Sequence, residues 1–301
     1  MFVHGKKIFL DTDNTITIYK KLFKSFKDVS ILESVIGGEN KGRYSIILFN
    51  IIENIEIFEK YIFLNGKKNS IKSPSEFLKN LYKKKNFINL YKKKIPIPFT
   101  IGNLTFDLCK FTLPKLKYDS DKNELDIPLA HFVHPRNLII IDNILNETHL
   151  IEFSKSRKDK DTNLDTIKKL LTSSLKISKN NLKVKPSLFK NHMTKNDFFH
   201  KVNRIKNEII KGEIFQAVLS QRFSADYKID PFNFYRALRS INPSPYLVFL
   251  NLNKYQIICS SPETMINVKD KKITLRPIAG TRRRGKTKQE DIKLENELLN
   301  D

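Results

Sequence analysis

Apolar positions in the first half of the chain fall in short runs and alternations, with few stretches of helical period. Ile18, Leu22 and Phe26 recur every four residues and predict a helix over 15–27. Ser30 to Val35 and Tyr44 to Phe49 read as strands flanking Gly37-Gly38, a hairpin-like arrangement. Ile51 to Ile57 and Lys60 to Leu64 read as short strands, with Asn65-Gly66 as the turn that follows. Ser73 before Pro74 predicts a helix over 74–84, with proline in the first position, where it costs no hydrogen bond. Leu138 to Ile141 and His149 to Phe153 predict a strand pair turning over 143–147.

Residues 154–190 are rich in Lys, Ser, Asn and Asp, with one amphipathic stretch around Leu164 to Leu175. They read as a linker between an N-terminal region, 1–153, and a second region, 191–301. In the latter, Thr194 and Asp197 look like a capping box, Phe198, Val202, Ile205 and Ile209 share one helical face, and Gly212 can stop the helix. Ile214 to Phe223 reads as a strand with Phe215, Ala217 and Leu219 on one side, and Asp230-Pro231 opens a helix through Arg239. Two hairpins follow, Tyr246 to Leu252 with Tyr255 to Ser260, and Met265 to Val268 with Ile273 to Arg276, the second turning at Asp270-Lys271. A helix over 289–299 runs to the last residue without a stop signal, so the chain reads as cut short at its C-terminus. Hairpins with helices between them predict an α+β fold of antiparallel sheets packed as a sandwich with flanking helices, incomplete at the C-terminus.

Composition narrows the classes. With 301 residues and 40% hydrophobic positions, the chain can bury a core or two, which excludes wholesale disorder. No apolar run approaches the roughly 20 residues that cross a bilayer, and Lys6, Lys7, Asp11 and Asp13 interrupt any signal-like segment, so no membrane partner is expected and the location reads as cytoplasmic. Cys109 and Cys259 have neither the number for a disulfide framework nor the spacing of a zinc site. A net charge of +23 raises nucleic-acid binding, which would show as steeply salt-dependent retention on DNA. Its 44 lysines are spread along the chain, including the triplets 83–85 and 92–94, and fit a solvated surface better than a groove, so no nucleic acid is expected. Arginine, the better bidentate anion ligand, concentrates at Arg282-Arg283-Arg284.

That cluster ends the window Arg276-Pro277-Ile278-Ala279-Gly280-Thr281-Arg282-Arg283-Arg284-Gly285. Gly280 lets a ligand approach the backbone, Thr281 adds a hydroxyl, and the arginines add positive potential, a set suited to a carboxylate-bearing small molecule. The same residues also fit a glycine turn followed by a solvated basic loop. The window resembles the Pro-Ile-Ala-Gly-Thr-Arg-x-Arg-Gly signature of chorismate-utilising enzymes, particularly anthranilate synthase component I. Gly212-Glu213-Ile214-Phe215-Gln216, Asn242-Pro243-Ser244-Pro245-Tyr246, and Ser260-Ser261-Pro262-Glu263 are similar to further segments of that family in the same order. Leu32-Glu33-Ser34, with Gly37-Gly38 and Gly42-Arg43-Tyr44-Ser45, is similar to its N-terminal part.

The resemblance implies conversion of chorismate and ammonia to anthranilate and pyruvate in tryptophan biosynthesis, with Mg²⁺ as cofactor and ammonia from a glutamine amidotransferase component II. Gly280 and Thr281 become the implied chorismate-binding residues. Ser34, Pro245, Tyr246 and Leu247 become the implied site for L-tryptophan as feedback inhibitor, where the family commonly has Met in place of Leu247; Arg43 could assist. Hydrating relatives carry a lysine base where this chain has Gln216, an amide without useful basicity. Aminodeoxychorismate synthases commonly carry a nucleophilic lysine where it has Ala279. The family's catalytic residues and its Mg²⁺ ligands are expected beyond residue 301, which leaves no metal ligand here; Glu263, Glu290, Glu295 and Glu297 read as surface residues. The chain alone is therefore expected to be inactive. Two alternatives stay open: an aminodeoxychorismate synthase component I, and a non-catalytic remnant that binds tryptophan or the amidotransferase.

Overall fold

The computed structural model describes all residues except 35–41, 84–86, 114, 116–124, 160–161, 176–187, 278–279 and 301. Its strands are β1 (Phe2–Ile8), β2 (Ser30–Glu33), β3 (Tyr44–Ile57), β4 (Tyr61–Leu64), β5 (Lys67–Ser70), β6 (Ile88–Asn89), β7 (Ile101–Leu104), β8 (Ala130–Asp142), β9 (Glu147–Ser154), β10 (Lys190–Asn191), β11 (Phe223–Ser224), β12 (Tyr246–Asn251), β13 (Gln256–Ser261), β14 (Asn267–Lys269) and β15 (Lys272–Thr274). The α-helices are α1 (Thr15–Leu22), α2 (Pro74–Lys83), α3 (Leu164–Thr172), α4 (Lys195–Ile210), α5 (Pro231–Ile241) and α6 (Lys288–Leu299). Two compact units result: Met1–Leu175 with Tyr235–Asp301, and Lys176–Phe234.

Eleven strands of the first unit form one sheet in the order β13-β12-β2-β3-β8-β9-β1-β6, with β4 and β5 extending from β3 and β7 lying on β8. Every pairing but β1–β6 is antiparallel. The α+β, antiparallel expectation holds. Where the sequence suggests separate sheets in a sandwich, the long strands β3 and β8 carry one hydrogen-bonded network through both halves. The register between them shifts at Ile51/Glu53, beside Asn50 at φ +57°, and the Asp28 carboxylate accepts the N–H groups of Asn50 and Ile51 at 3.0 and 2.6 Å. Such a bulge bends the strands, so the two halves bury separate apolar clusters. One contains Val3, Leu48, Leu138, Ile151 and Phe153; the other contains Ile55, Ile57, Ile62, Ala130 and Phe132, with Phe77, Leu78 and Leu81 of α2 against it.

Several elements end where their residues require. Asn14 caps α1 through its side chain, and α1 stops at Leu22 rather than 27, with Phe23 as C-cap. Asn65 and Gly66, at φ +50° and +80°, turn β4 into β5, and Asp270 with Lys271, at +50° and +64°, turns β14 into β15. The hairpin-like pair expected about Gly37-Gly38 is β2 with β3, antiparallel with Ser30 opposite Leu48 and Leu32 opposite Ile46, and its connecting residues 35–41 lie outside the described residues. The amphipathic stretch inside 154–190 is α3, and it is packed: Leu164, Ile167 and Leu171 are buried. Three such side chains contribute about 5–9 kcal/mol of gross apolar burial. Lys21 of α1 locks onto α3 by donating to the Leu171 carbonyl at 2.7 Å and to Asp13 at 2.7 Å. The sheet also draws on both sides of that stretch, since β12 pairs with β2.

In the second unit, Thr194 caps α4 by accepting the Asp197 N–H at 3.1 Å, and Gly212, at φ +78°, follows its end. The strand expected over 214–223 is corrected: only Phe223–Ser224 is paired, with Lys190–Asn191. Phe215 and Val218 stand 99% and 86% exposed. An alternating pattern makes a strand only where a neighbouring strand takes up its backbone bonds, and among the described residues no strand pairs with 214–222, although the Arg222 carbonyl accepts the His192 N–H at 3.2 Å.

Candidate functional site

Strand pairing brings together residues more than 200 positions apart. β12 lies antiparallel to β2 with Leu247 opposite Glu33 and Val248 opposite Leu32, so the next positions along the two strands are Tyr246 and Ser34. The four residues implied for an inhibitor site, Ser34, Pro245, Tyr246 and Leu247, therefore meet at one end of one strand pair. Leu247 is fully buried, Pro245 half-buried and Tyr246 exposed, with its hydroxyl bonded to Thr264. Ser244 holds the turn by donating to the Tyr246 carbonyl at 3.1 Å, and Ser260 donates to the Asn242 carbonyl at 2.7 Å. The Ser34 hydroxyl is buried and has no hydrogen-bond partner among the described residues. A buried hydroxyl left unpaired is costly.

Beneath Ser34 the structure adds a cluster that patterning does not single out. Glu33 is buried and accepts from Thr15 Oγ1 at 2.9 Å, from Arg239 Nε at 2.7 Å and from the Tyr235 hydroxyl. Burial and the Glu33 carboxylate both push the Tyr235 phenol above its usual range, so it stays a donor. The cluster ties α1, β2 and α5 together next to Ser34. A glutamate at an inward strand position was the available signal, because such a group needs partners. Arg43 is engaged elsewhere: its Nε and Nη2 bond Asp142 at 2.9 and 2.8 Å, and it stacks on Tyr44. Burial raises the Asp142 carboxyl, but Arg43 and the N–H groups of Leu145 and Ile144 outweigh that and hold it below its usual value.

The second group lies on the loop before α6. Gly280 and Thr281 are exposed, and Ile278 with Ala279 falls outside the described residues. Gly280 lies close to Leu298, whose methyl stands 3.0 Å from where a Cβ would sit. The basic loop is not merely solvated, because Arg283 pairs with Glu290 and Arg284 with Asp291, each at 2.5 Å. Gln216 belongs to the second unit and is exposed. Among the described residues no group of three or more His, Cys, Asp or Glu side chains could hold a metal ion, so they do not fit the Mg²⁺ that the resemblance implies. No helix among them is long and apolar enough to cross a membrane.

The antiparallel α+β architecture is shared with solved relatives. The family of chorismate binding enzymes matches residues 34–301, and this chain belongs to it. Within that family the chain is similar to proteins named anthranilate synthase component 1. It is 32% identical to that of Acetivibrio thermocellus and 33% identical to that of Aquifex aeolicus, in both cases over 98% of this chain. It spans only 63% and 62% of the length of those two relatives. The crystal structure of anthranilate synthase component I from Streptococcus pneumoniae matches with a TM-score of 0.71 at 29% identity, over 89% of this chain and 59% of that one. The menaquinone-specific isochorismate synthase of Escherichia coli, at 13% identity and a TM-score of 0.53, shares the fold.

Proposed function

We propose that this chain supplies the inhibitor-binding region and part of the chorismate-binding region of an anthranilate synthase component I. In the whole enzyme chorismate and ammonia yield anthranilate, pyruvate and water: the ring is aminated with loss of its hydroxyl, and the enolpyruvyl group then leaves. A glutamine amidotransferase, the second component, would provide the ammonia, and small water-soluble substrates put the reaction in the cytoplasm. The observation that carries this reading is about one-third identity, across nearly the whole chain, to proteins bearing that name. Gln216 argues against an isochorismate synthase, since an amide cannot activate water. Ala279 argues against a covalent lysine route.

In this reading Gly280 and Thr281 bind chorismate through backbone and hydroxyl, while Ser34, Pro245, Tyr246 and Leu247 bind L-tryptophan. The meeting of β2 with β12 and the unpaired Ser34 hydroxyl support the second assignment. Mg²⁺ finds no ligand set among these residues, so the chemistry assigned to the chain stops at binding and orientation. The test is a chimaera of residues 1–301 followed by the corresponding C-terminal part of the Aquifex aeolicus relative. With chorismate, ammonium and Mg²⁺ it should form fluorescent anthranilate. Release of 4-amino-4-deoxychorismate would reassign the product, and absence of any turnover would refute the reading.

A further inference from the structure

The loop that carries Gly280 and Thr281 is held from one side by the first turn of α6. Gly285 donates its N–H to Asp291 Oδ1 at 2.7 Å, and Lys286 donates its N–H to Glu290 Oε2 at 2.6 Å. Each carboxylate also takes a guanidinium, Arg284 on Asp291 and Arg283 on Glu290. Glu290 therefore accepts one backbone and one guanidinium donor in charge-assisted bonds, while Asp291 accepts one backbone donor and forms an ion pair with the exposed Arg284. Thr287 caps the same turn by donating nothing and accepting the Glu290 N–H at 3.2 Å, which fixes where the carboxylates stand. The Lys286 N–H, then the Arg283 guanidinium, holds the Glu290 carboxyl below its usual range.

Two glycines let the loop lie against the helix. At Gly285 any Cβ would collide with the backbone of Glu290 and Asp291, and at Gly280 it would press on Leu298 near the other end of α6. An unconstrained basic loop needs neither contact. We propose that Glu290 and Asp291 are positioning residues for the Gly280–Thr281 loop, clamping its Arg-Gly segment so that the loop backbone is presented to an anionic substrate in one conformation. The proposal rests on the reading of Gly280 and Thr281 as chorismate-binding groups. The two carboxylates touch no substrate; they act through the loop, by removing conformational freedom that binding would otherwise have to remove. Arg283 and Arg284, whose charges suggest an anion site, serve as the clamp's other half.

The three arginines and Lys286 also make the loop a trypsin substrate, which gives a readout independent of ligand. Cleavage follows the population of the locally opened form when opening is fast. On the 301-residue chain, Asp291→Asn should speed cleavage between residues 282 and 287 by about fivefold, while cuts elsewhere keep their rates. Asp291→Glu, which retains the charge, should stay near the parent rate, and salt raised to about 1 M should speed the parent by screening the pairs. Equal rates for the parent and Asp291→Asn would overturn the clamp. So would acceleration at all sites alike, because Asp291 would then hold the fold rather than the loop. In the chimaera, Asp291→Asn should raise KM for chorismate by about tenfold with kcat within about twofold. A fall in kcat at constant KM overturns the positioning role. If the loop result holds but the parent chimaera has no affinity for chorismate, the clamp stands and the substrate reading falls.

Discussion

Ser34→Ala should move stability and ligand affinity in opposite directions. The Ser34 hydroxyl is buried and unpaired among the described residues, whereas the residue as a whole is half-buried at the end of β2. A buried polar group without a partner costs about 1–3 kcal/mol, and alanine removes that group without adding volume. Because water reaches part of the residue, the lower end applies: Ser34→Ala should be neutral to about 1 kcal/mol more stable, read as a rise in the urea midpoint at unchanged m. The same hydroxyl, bonded to a charged end of bound tryptophan, would contribute about 1.5–3 kcal/mol, so affinity should fall about 10- to 150-fold by titration calorimetry. A variant destabilised by more than about 1 kcal/mol would mean that the hydroxyl is satisfied within the fold. Unchanged tryptophan affinity would remove Ser34 from the site. Either result refutes the reasoning, and the opposed signs keep general misfolding from imitating the expected outcome.

Other expectations concern the frame around the sites. Arg239→Ala leaves the buried Glu33 carboxylate, among the described residues, with only hydroxyl donors, Thr15 and Tyr235; since Arg239 is partly exposed, the cost should be about 2–3 kcal/mol by urea unfolding, and much of it should be recovered in Glu33→Gln/Arg239→Met. His131 is fully buried, bonded to Asn54 at 2.6 Å and to the Tyr255 hydroxyl at 3.0 Å, and burial, opposed by Glu56 and aided by Lys254, pushes its imidazole down to about 4. The unfolded chain then takes up a proton that the fold refuses, so this contribution is complete above pH ~6.5 and is lost as pH falls toward about 4, up to about 3 kcal/mol. His131→Gln should flatten that part of the stability–pH curve, and an equally steep curve would contradict the assignment. Gly102→Ala should destabilise by about 3 kcal/mol or more, because its Cβ would strike the backbone of His131 and Phe132 across β7–β8; a midpoint within error of the parent's would contradict this.

Local grammar in the sequence was a good guide to elements and a poor one to neighbours. Asn65-Gly66, Asp270-Lys271 and the caps at Thr194 and Asp230 mark their turns and helix starts because each fixes its own backbone with side chain or φ. Nothing local says that β12 lies beside β2, since pairing is decided by the faces of the whole sheet. For the same reason the alternation in 214–223 suggested a strand of which only Phe223 is paired, and the amphipathic stretch within 154–190 did not say that three buried residues dock it as α3. Of the candidate sites, Ser34 and Pro245 to Leu247 were named through motif resemblance, which did not say that β2 and β12 bring them to one end of a strand pair. The Glu33–Tyr235–Arg239 cluster was not, because its members stand about 200 positions apart. The arginine triplet was legible as charge, but its engagement with α6 depends on where the loop turns back.

The pairing of Glu33 with Leu247 has a consequence for biosynthesis. β2 leaves the ribosome more than 200 residues before the strand that covers its outer edge. At about 5–20 residues per second, that edge waits about 10–40 s for its partner. Throughout that interval a nascent chain carries an open template for strand addition, an exposure that slow non-local pairing prolongs. Slowing translation anywhere between these two strands should therefore lower soluble yield more than slowing it after residue 251.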